Sequence, residues 1–350
     1  MRYELMNFDL GPNPLWREFD VGPYKITLMP DYDELQPELS SVETRSFPFD
    51  GSLQTVSPRV VSQAKAGKNS VTAMVECADE PQAVIWANKE KGIYDVCTIL
   101  SYLTGRNVFL PQDERRYSHV IHGEKVVCGW EVPRAAELAW SNRTNFLSER
   151  EKRPLWLYLN LNSVSDAEVK ALLGCVALEI IQEADAESMT EPPTPGFQDL
   201  IEKLKDDIDR SGISDDDKNR LKSAVGKWGP NSAQEKFKQL LTKYGLVKPG
   251  VNGIPLKRVR GIWDMRNQIA HNSEFADPKW INDVEHKRRV EIFIAARIIP
   301  ALVMDYLNRK FCLMQLDRVK QNSAIITEYV YHGTHESEGV DGVRPKAAYA

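Results

Sequence analysis

The stretch SDAEVKALLGCVALEII, residues 165–181, marks the point at which the chain changes character. Ser165 and Glu168 have the Ser-x-x-Glu spacing of a capping box, and Val164 and Val169 supply the apolar pair that packs across such a helix start. Beyond the cap, apolar residues fall on nearly every side of a helix, which predicts a central helix buried in a core. The chain on either side of this helix differs in kind.

Residues 1–160, before this helix, read as a mixed α/β or β-rich domain. Short β-leaning runs, separated by Pro, Gly and Asp, lie at residues 24–29, 71–75, 126–130 and 155–161. Apolar residues at helical spacing predict one helix over residues 91–104. The first fifty residues carry ten acids and four bases, a balance that disfavours contact with RNA.

Residues 162–311 read as an all-α bundle. Amphipathic helices are predicted there from apolar residues at helical spacing and from caps such as the one at Ser214. Asp277 and Pro278 read as the N-cap and the first residue of a long last helix. Residues 312–350 form a C-terminal extension that is expected to be partly disordered. The predicted fold class is therefore α+β, with a strand-rich first part followed by a helical bundle.

Composition is typical of a soluble globular protein. The 350 residues are 42% apolar and 27% charged, and the net charge is −5, so any surface for a polyanion must be local. Five cysteines occur without a Cys-x-x-Cys pair, which argues against a disulfide framework or a zinc site, and Cys175 is expected to be plain core. Neither a secretory signal nor a membrane-spanning run is apparent. We expect a cytoplasmic protein without membrane contact.

A helix predicted over residues 255–272 carries the polar residues that most need an explanation. Its apolar stripe passes through Val259, and Arg266 falls in the middle of that stripe. Asn267 and His271 lie four residues apart and share the edge of the stripe. An arginine on a buried face is costly unless its charge has a partner.

The pattern Arg266-Asn267-x-x-x-His271, near the end of the penultimate helix of an α-bundle, resembles the R-N-x-x-x-H signature of the HEPN (higher eukaryotes and prokaryotes nucleotide-binding) domain family. The resemblance covers about residues 162–311. It implies a metal-independent ribonuclease in which Arg266 and His271 are catalytic, Asn267 orients them, and two protomers pair so that both motifs line one cleft. Many members join this unit to an unrelated sensing domain, so residues 1–160 are expected to be a sensor or regulatory domain with an unknown trigger. The resemblance also implies a role in toxin-like or antiviral (anti-phage) defence, including abortive infection.

The chemistry of RNA cleavage agrees with these residue types. Attack by the 2′-hydroxyl needs a group that exchanges a proton near neutral pH, as histidine does. The phosphate needs a fixed cation in the transition state, and arginine stays charged and grips phosphate oxygens bidentately. Arg266 and His271 lie about 140° apart around one helix, so pairing of two apolar stripes is expected to complete the site. We predict a homodimeric endoribonuclease for single-stranded RNA, with no metal or cofactor.

A basic stretch leads into the motif. Residues 218–260 hold eleven Lys and Arg residues against one acid, Glu235. Such a stretch suits the approach of a polyanion, and the predicted RNA-binding residues are Lys257, Arg258 and Arg260. Taken alone, the same stretch is also typical of a solvated helix face.

Less specific interpretations stay open. In one of them Arg266 serves only structure by pairing with a core acid, for which Glu179 in the central helix is the candidate. The bundle is then a non-catalytic HEPN module that binds nucleotide or RNA, or a structural adaptor that only joins protomers. Two His-x-x-His pairs lack the cysteines or the helical spacing of a metal site. The tryptophans of the first half are expected to pack in the core unless they stack on bases: Trp16, Trp86, Trp130, Trp140 and Trp156.

Overall fold

The computed structural model describes residues 1–39, 42–47, 59–64, 69–79, 91–116, 125–162, 164, 167–189, 195–226, 239–240, 242 and 299–319. The described strands are β1 (Arg2–Met6), β2 (Glu18–Val21), β3 (Tyr24–Leu28), β4 (Val42–Phe47), β5 (Arg59–Ala64) and β6 (Val71–Glu76). The described helices are α1 (Tyr32–Leu39), α2 (Ile93–Thr104), α3 (Val132–Asn142), α4 (Glu149–Asn162), α5 (Ala167–Met189), α6 (Pro195–Arg210), α7 (Asp215–Gly226) and α8 (Ile299–Lys310). Short 3-10 helices lie at Pro111–Arg116, Gly129–Glu131 and Arg143–Asn145.

Four of the strands form an antiparallel sheet in the order β1-β6-β3-β2. Strands β2 and β3 make a hairpin in which Val21 pairs with Tyr24. Alternate residues of this hairpin, such as Phe19 and Ile26, turn into the core, because successive side chains of a strand point to opposite faces. Strands β4 and β5 form a separate antiparallel pair.

Helix α3 packs on the sheet at this hairpin. Gly22 has a φ of +55°, and a Cβ at this position would overlap the indole of Trp140, so the turn approaches that ring only because the residue is glycine. The Trp140 ring meets Tyr24 edge-on, with the ring centroids 5.5 Å apart. The Gly22 N–H also donates a hydrogen bond to the Glu137 carboxylate at 2.8 Å. The position of α3 on the sheet is therefore set by specific contacts as well as by apolar burial.

The α+β layout is confirmed, since an antiparallel sheet lies near the N-terminus and the remaining described chain is mostly helical. The runs at residues 24–29 and 71–75 form β3 and β6, and the helix expected over residues 91–104 is α2. The strands expected at residues 126–130 and 155–161 are wrong. The first run contains no strand and leads into a 3-10 helix, and the second belongs to α4.

Helix α4 buries residues at a spacing of three, which a strand cannot do on one face. Leu155, Tyr158 and Leu161 are 0, 2 and 3% exposed, and Asn160 between them is exposed. This face packs along α5. Apolar and polar residues alternate near the end of α4, which is also the pattern of a strand with one buried face. The packing of this segment on α5 decides in favour of the helical pattern over the strand pattern.

Helices α2 and α4 meet the end of α8 in an aromatic cluster. The ring centroid of Tyr102 lies 5.4 Å from those of Tyr158 and Phe311. The buried Tyr102 hydroxyl lies 2.8 Å from Asn308 Oδ1 and 3.2 Å from the Met304 carbonyl oxygen, both on α8. One continuous set of buried residues reaches from the sheet through these helices. The N-terminal half and α8 therefore share a core.

Helix α5 is central, but it is not buried on every side as expected. Cys175, on its inner face, is 1% exposed, which confirms its expected place in the core. On the outer face Val169, Leu172 and Val176 are 42, 37 and 37% exposed, and these three residues are called the α5 stripe below. Although α5 has 23 residues, neither it nor another helix in the described part of the chain is long and apolar enough to cross a membrane.

Helix α8 lies close against α5 and continues into a buried segment. A Cβ on Gly174 would lie 2.5 Å from Ile299 Cγ2, so a glycine in α5 sets the close approach of the two helices. After α8, Leu313 and Val319 are fully buried. Residues 312–319, which are the described part of the expected C-terminal extension, thus belong to the core. The expected domain limits at residues 160–162 and 311–312 stay predictions.

Candidate functional site

The predicted catalytic and RNA-binding residues lie outside the described residues. They are Arg266, Asn267, His271, Lys257, Arg258 and Arg260. Of the predicted last helix, the structure describes the final part as α8. The structure describes helices on both sides of the motif in the chain. Helix α7 precedes the motif, and α8 follows it and packs on α5.

Glu179, the candidate acidic partner of Arg266, lies on the outer side of α5. Its side chain is exposed, and the residues of the α5 stripe are on the same side of the helix. The expectation that Glu179 is a core acid is therefore wrong. Water solvates the exposed Glu179 carboxylate, so its charge carries little desolvation cost. Glu179 therefore does not require a buried arginine to offset such a cost.

The start of the basic stretch is balanced by acids. Its described basic residues lie on α7 and are Lys218, Arg220 and Lys222. Lys222 forms an ion pair with Asp209 of α6, and Lys218 Nζ lies 4.0 Å from an oxygen of Asp215. Residues 195–226, which contain α6 and α7, hold eight acids and six bases. Attraction for a polyanion must therefore come from the later part of the stretch.

A buried charged cluster in the N-terminal half is centred on Asp9. The Asp9 and Arg106 side chains are 0 and 5% exposed, and Arg106 Nη2 lies 2.6 Å from Asp9 Oδ2. Asp9 Oδ1 accepts hydrogen bonds from the Gly11 N–H at 2.7 Å, the Tyr32 hydroxyl at 3.0 Å and the Gln36 amide at 3.3 Å. These residues, with the outlying Lys125, are called the Asp9 cluster. The cluster joins the loop after β1 to α1 and to the chain just after α2.

The Asp9 carboxyl is held in its ionised form. Burial by itself raises the pKa of Asp9. The charges of Arg106 and Lys125, together with the hydrogen bonds, lower the pKa by more, so that it lies below the usual 3.8. Lys125 Nζ lies 3.4 Å from Asp9 Oδ2. Burial and the Asp9 charge raise the pKa of Tyr32, so the phenol stays protonated. Because both Asp9 oxygens are engaged, the cluster is suited to hold elements together rather than to transfer protons.

A cleft of about 270 Å³ lies where the loop before β2, the start of α3 and the segment after α8 meet. Within it, Trp16 and Trp130 remain 52 and 54% exposed. It is called the Trp cleft here, and its lining residues are Trp16, Trp130, Glu131, Pro133, Arg134, Gln315, Leu316 and Asp317.

The 3-10 helix Gly129–Glu131 sets the position of Trp130. A Cβ on Gly129 would overlap the carbonyl oxygen of Leu10, so the turn lies against that backbone only because the residue is glycine. Glu131 is 4% exposed and accepts hydrogen bonds from the Cys128 N–H at 3.2 Å and the Asp317 N–H at 3.1 Å. Its carboxylate therefore ties the segment after α8 to the turn that carries Trp130.

The sequence interpretation missed the Trp cleft because it expected the tryptophans to pack in the core. Trp140 does so at 7% exposure, Trp156 is half-buried, and Trp86 lies outside the described residues. Trp16 and Trp130 do not. A partial signal is the sequence around Trp16, since residues 11–18 are rich in Pro, Gly and charged residues, which predicts an irregular and exposed segment. The pairing of Asp9 with Arg106 has no comparable local signal.

Among the described residues, no group of three His, Cys, Asp or Glu side chains is arranged to hold a metal ion. Comparisons of the chain with models of protein families, with curated proteins and with solved structures found no match. The resemblance to the HEPN family therefore rests on the motif from Arg266 to His271 and on its place in the chain.

Proposed function

We propose that the chain is a metal-independent endoribonuclease that cleaves single-stranded RNA at an HEPN-type site formed by Arg266 and His271. The observation that carries the proposal is the Arg-Asn-x-x-x-His order on the apolar stripe of a predicted helix, within the helical part of an α+β chain. Helices α5 and α8 support it. They precede and follow the motif in the chain and pack closely at Gly174, as helices of one bundle do.

Each motif residue has a distinct role in this proposal. Arg266 holds the scissile phosphate and offsets the charge that develops on its oxygens. His271 exchanges a proton with the attacking 2′-hydroxyl or the leaving 5′-oxygen, and Asn267 orients the pair. Attack of the 2′-oxygen on phosphorus breaks the bond to the 5′-oxygen, and the products are a 2′,3′-cyclic phosphate and a 5′-hydroxyl. Lys257, Arg258 and Arg260 bind the RNA backbone next to the site.

The site is proposed to be completed by a second copy of the chain. Arg266 and His271 are about 140° apart around one helix, so two-fold pairing is the simplest way to bring both kinds of side chain to one phosphate. The α5 stripe supports pairing because Val169, Leu172 and Val176 leave apolar surface exposed on one side of the bundle. We further propose that the protein acts in the cytoplasm in toxin-like or antiviral (anti-phage) defence by abortive infection, under control of its N-terminal half.

The test is incubation of the purified full chain with end-labelled single-stranded RNA in the presence of EDTA. The proposal predicts cleavage by the unaltered protein and products with 2′,3′-cyclic phosphate ends. Arg266→Ala and His271→Ala should each abolish cleavage. Arg220→Ala, an exposed arginine on α7, serves as the matched control and should retain it. A fragment of residues 162–311 is a poor substitute, because α8 shares its core with α2 and the segment after it.

The alternative function is a non-catalytic HEPN module that binds nucleotide or RNA or joins protomers. It is favoured by the acids that balance the first part of the basic stretch and by the α5 stripe, which suits dimerisation without requiring chemistry. RNA binding measured by fluorescence anisotropy, with no cleavage by any of the four proteins, would replace the nuclease with this module. Dimers in sedimentation experiments without RNA affinity would leave only the structural adaptor.

A further inference from the structure

The Trp cleft combines two features that a purely structural surface does not need. Two tryptophans far apart in the chain, Trp16 and Trp130, line one cavity while more than half of each side chain is exposed. Burying either ring further would gain apolar stabilisation, since indole is among the largest apolar groups. Exposed aromatic residues that line one cavity are typical of a site that binds a ligand.

The second feature is a buried negative charge at the cleft. Glu131 is 4% exposed, and its two oxygens accept hydrogen bonds from the backbone N–H groups of Cys128 and Asp317. Among the described residues, no lysine or arginine forms an ion pair with Glu131. Backbone amides satisfy the hydrogen-bonding capacity of the carboxylate but bring no full positive charge. A buried carboxylate that is hydrogen-bonded only to backbone amides, without a full positive charge beside it, favours a cation in the adjoining space.

The charges that line the cleft favour a cationic ligand over an anionic one. Glu131 and the exposed Asp317 carry negative charge, and Arg134 is the single basic residue among the described residues that line the cleft. Arg134 lies on α3 with its side chain exposed, where water screens its charge more strongly than that of the buried Glu131. A phosphate or carboxylate ligand would therefore meet repulsion from the buried Glu131 carboxylate.

The size of the cleft limits the ligand to a small molecule. Its volume of about 270 Å³ is just below the range of pockets that hold drug-sized ligands, about 300–1,000 Å³. We propose that the Trp cleft binds a small organic cation of the quaternary or alkylated ammonium class. The cation lies against the faces of Trp16 and Trp130 and near the carboxylates of Glu131 and Asp317. Cation–π attraction explains why the indole rings stay exposed, and this site is independent of the proposed nuclease.

The direct test is isothermal titration of the full chain with choline at constant ionic strength. The matched ligand is 3,3-dimethylbutan-1-ol, which has the same shape without the charge. Choline should bind saturably, and the neutral alcohol should bind at least about tenfold more weakly because it lacks the cation–π and carboxylate attraction. A peptide that contains trimethyllysine forms a third arm. Binding of that peptide without binding of choline would assign the cleft to a protein partner and overturn the small-molecule proposal.

Variants of the cleft give the second part of the test. Trp16→Ala and Trp130→Ala should each weaken choline binding by about tenfold, and Asp317→Lys should abolish it by reversing a lining charge. Leu147→Ala changes a side chain that is 85% exposed and outside the cleft, and it should bind choline like the unaltered protein. Trp16 and Asp317 are exposed, so their variants should fold normally, which circular dichroism checks. Equal binding of choline and the neutral alcohol, or unchanged binding by both tryptophan variants, would contradict the proposal.

Discussion

Replacing Asp9 with asparagine removes the charge at the centre of the Asp9 cluster while keeping the shape of the side chain. The Arg106 guanidinium, 5% exposed, then keeps its hydrogen bond to the Leu39 carbonyl at 2.9 Å but loses its carboxylate partner at 2.6 Å. Removing one partner of a buried ion pair costs about 3–5 kcal/mol. We therefore expect Asp9→Asn to lower the free energy of unfolding by about that amount.

The measurement is urea denaturation followed by tryptophan fluorescence, for which the core residue Trp140 is a suitable reporter. Lys125→Gln is the matched control, because it also removes a charge next to Asp9. The Lys125 side chain is 39% exposed and its Nζ lies 3.4 Å from Asp9, so water screens the pair and the loss should stay below about 1 kcal/mol. Adding Arg106→Met to Asp9→Asn should restore part of the lost stability, because the double variant buries no guanidinium charge at this position.

The pH dependence of this difference has a definite sign. The pKa of Asp9 is lowered in the folded protein, so its contribution is present above the usual value of 3.8 and is lost as the pH falls through the lower folded value. The gap between the unaltered protein and Asp9→Asn should stay constant from about pH 7 to about pH 5 and close only in stronger acid. A gap under about 1 kcal/mol at neutral pH, or one that already closes near pH 6, would refute the reasoning about this cluster.

Three further changes test the core and the proposed site. Tyr102→Phe leaves the buried Asn308 amide oxygen without its 2.8 Å hydrogen bond, and urea denaturation should show a loss of about 1–3 kcal/mol; no loss would mean that α2 and α8 do not depend on this bond. Gly174→Ala should destabilise the protein because α8 lies too close for a Cβ. Gly196→Ala on α6 is the control, and because Gly196 has open space around it, this change should be neutral or stabilising by up to about 1 kcal/mol. Equal effects of the two alanines in thermal denaturation would contradict the close approach. Val259→Asp should yield monomers in sedimentation and abolish RNA cleavage, and a monomeric variant that still cleaves RNA would refute the shared site.

Elements with a strong local pattern were predictable from the sequence. β3 and β6 have β-leaning runs bounded by turn residues, α2 has apolar residues at helical spacing, and the hydroxyl of Ser214 caps α7 by accepting the Asp217 N–H at 3.2 Å. Each of these signals is contained within a few residues. The failures concern elements whose state depends on a distant neighbour. The alternation at residues 155–161 predicts a strand where the structure has the end of α4, and the apolar residues of α5 predict burial all round although one side of it carries the exposed stripe.

The predicted catalytic site follows from the resemblance of the motif to the HEPN signature, and the chemistry of its residue types agrees with it. Histidine at position 271 and arginine at position 266 define a chemistry, and their separation on one helix leads to the prediction of a dimer. Only the argument for a dimer rests on helical geometry, and the catalytic roles rest on what the resemblance implies. They stay predictions, since the motif lies outside the described residues.

The sequence by itself determined the α+β fold class, several strongly periodic elements and the identity of the residues proposed for RNA cleavage. Only the tertiary structure decided that Asp9 pairs with Arg106, that Trp16 and Trp130 line one cleft, and that the segment after α8 binds Glu131. The physical reason is distance along the chain. Helical and strand periodicity are local properties, whereas a buried ion pair or a cleft is formed by side chains that packing brings together from separate segments.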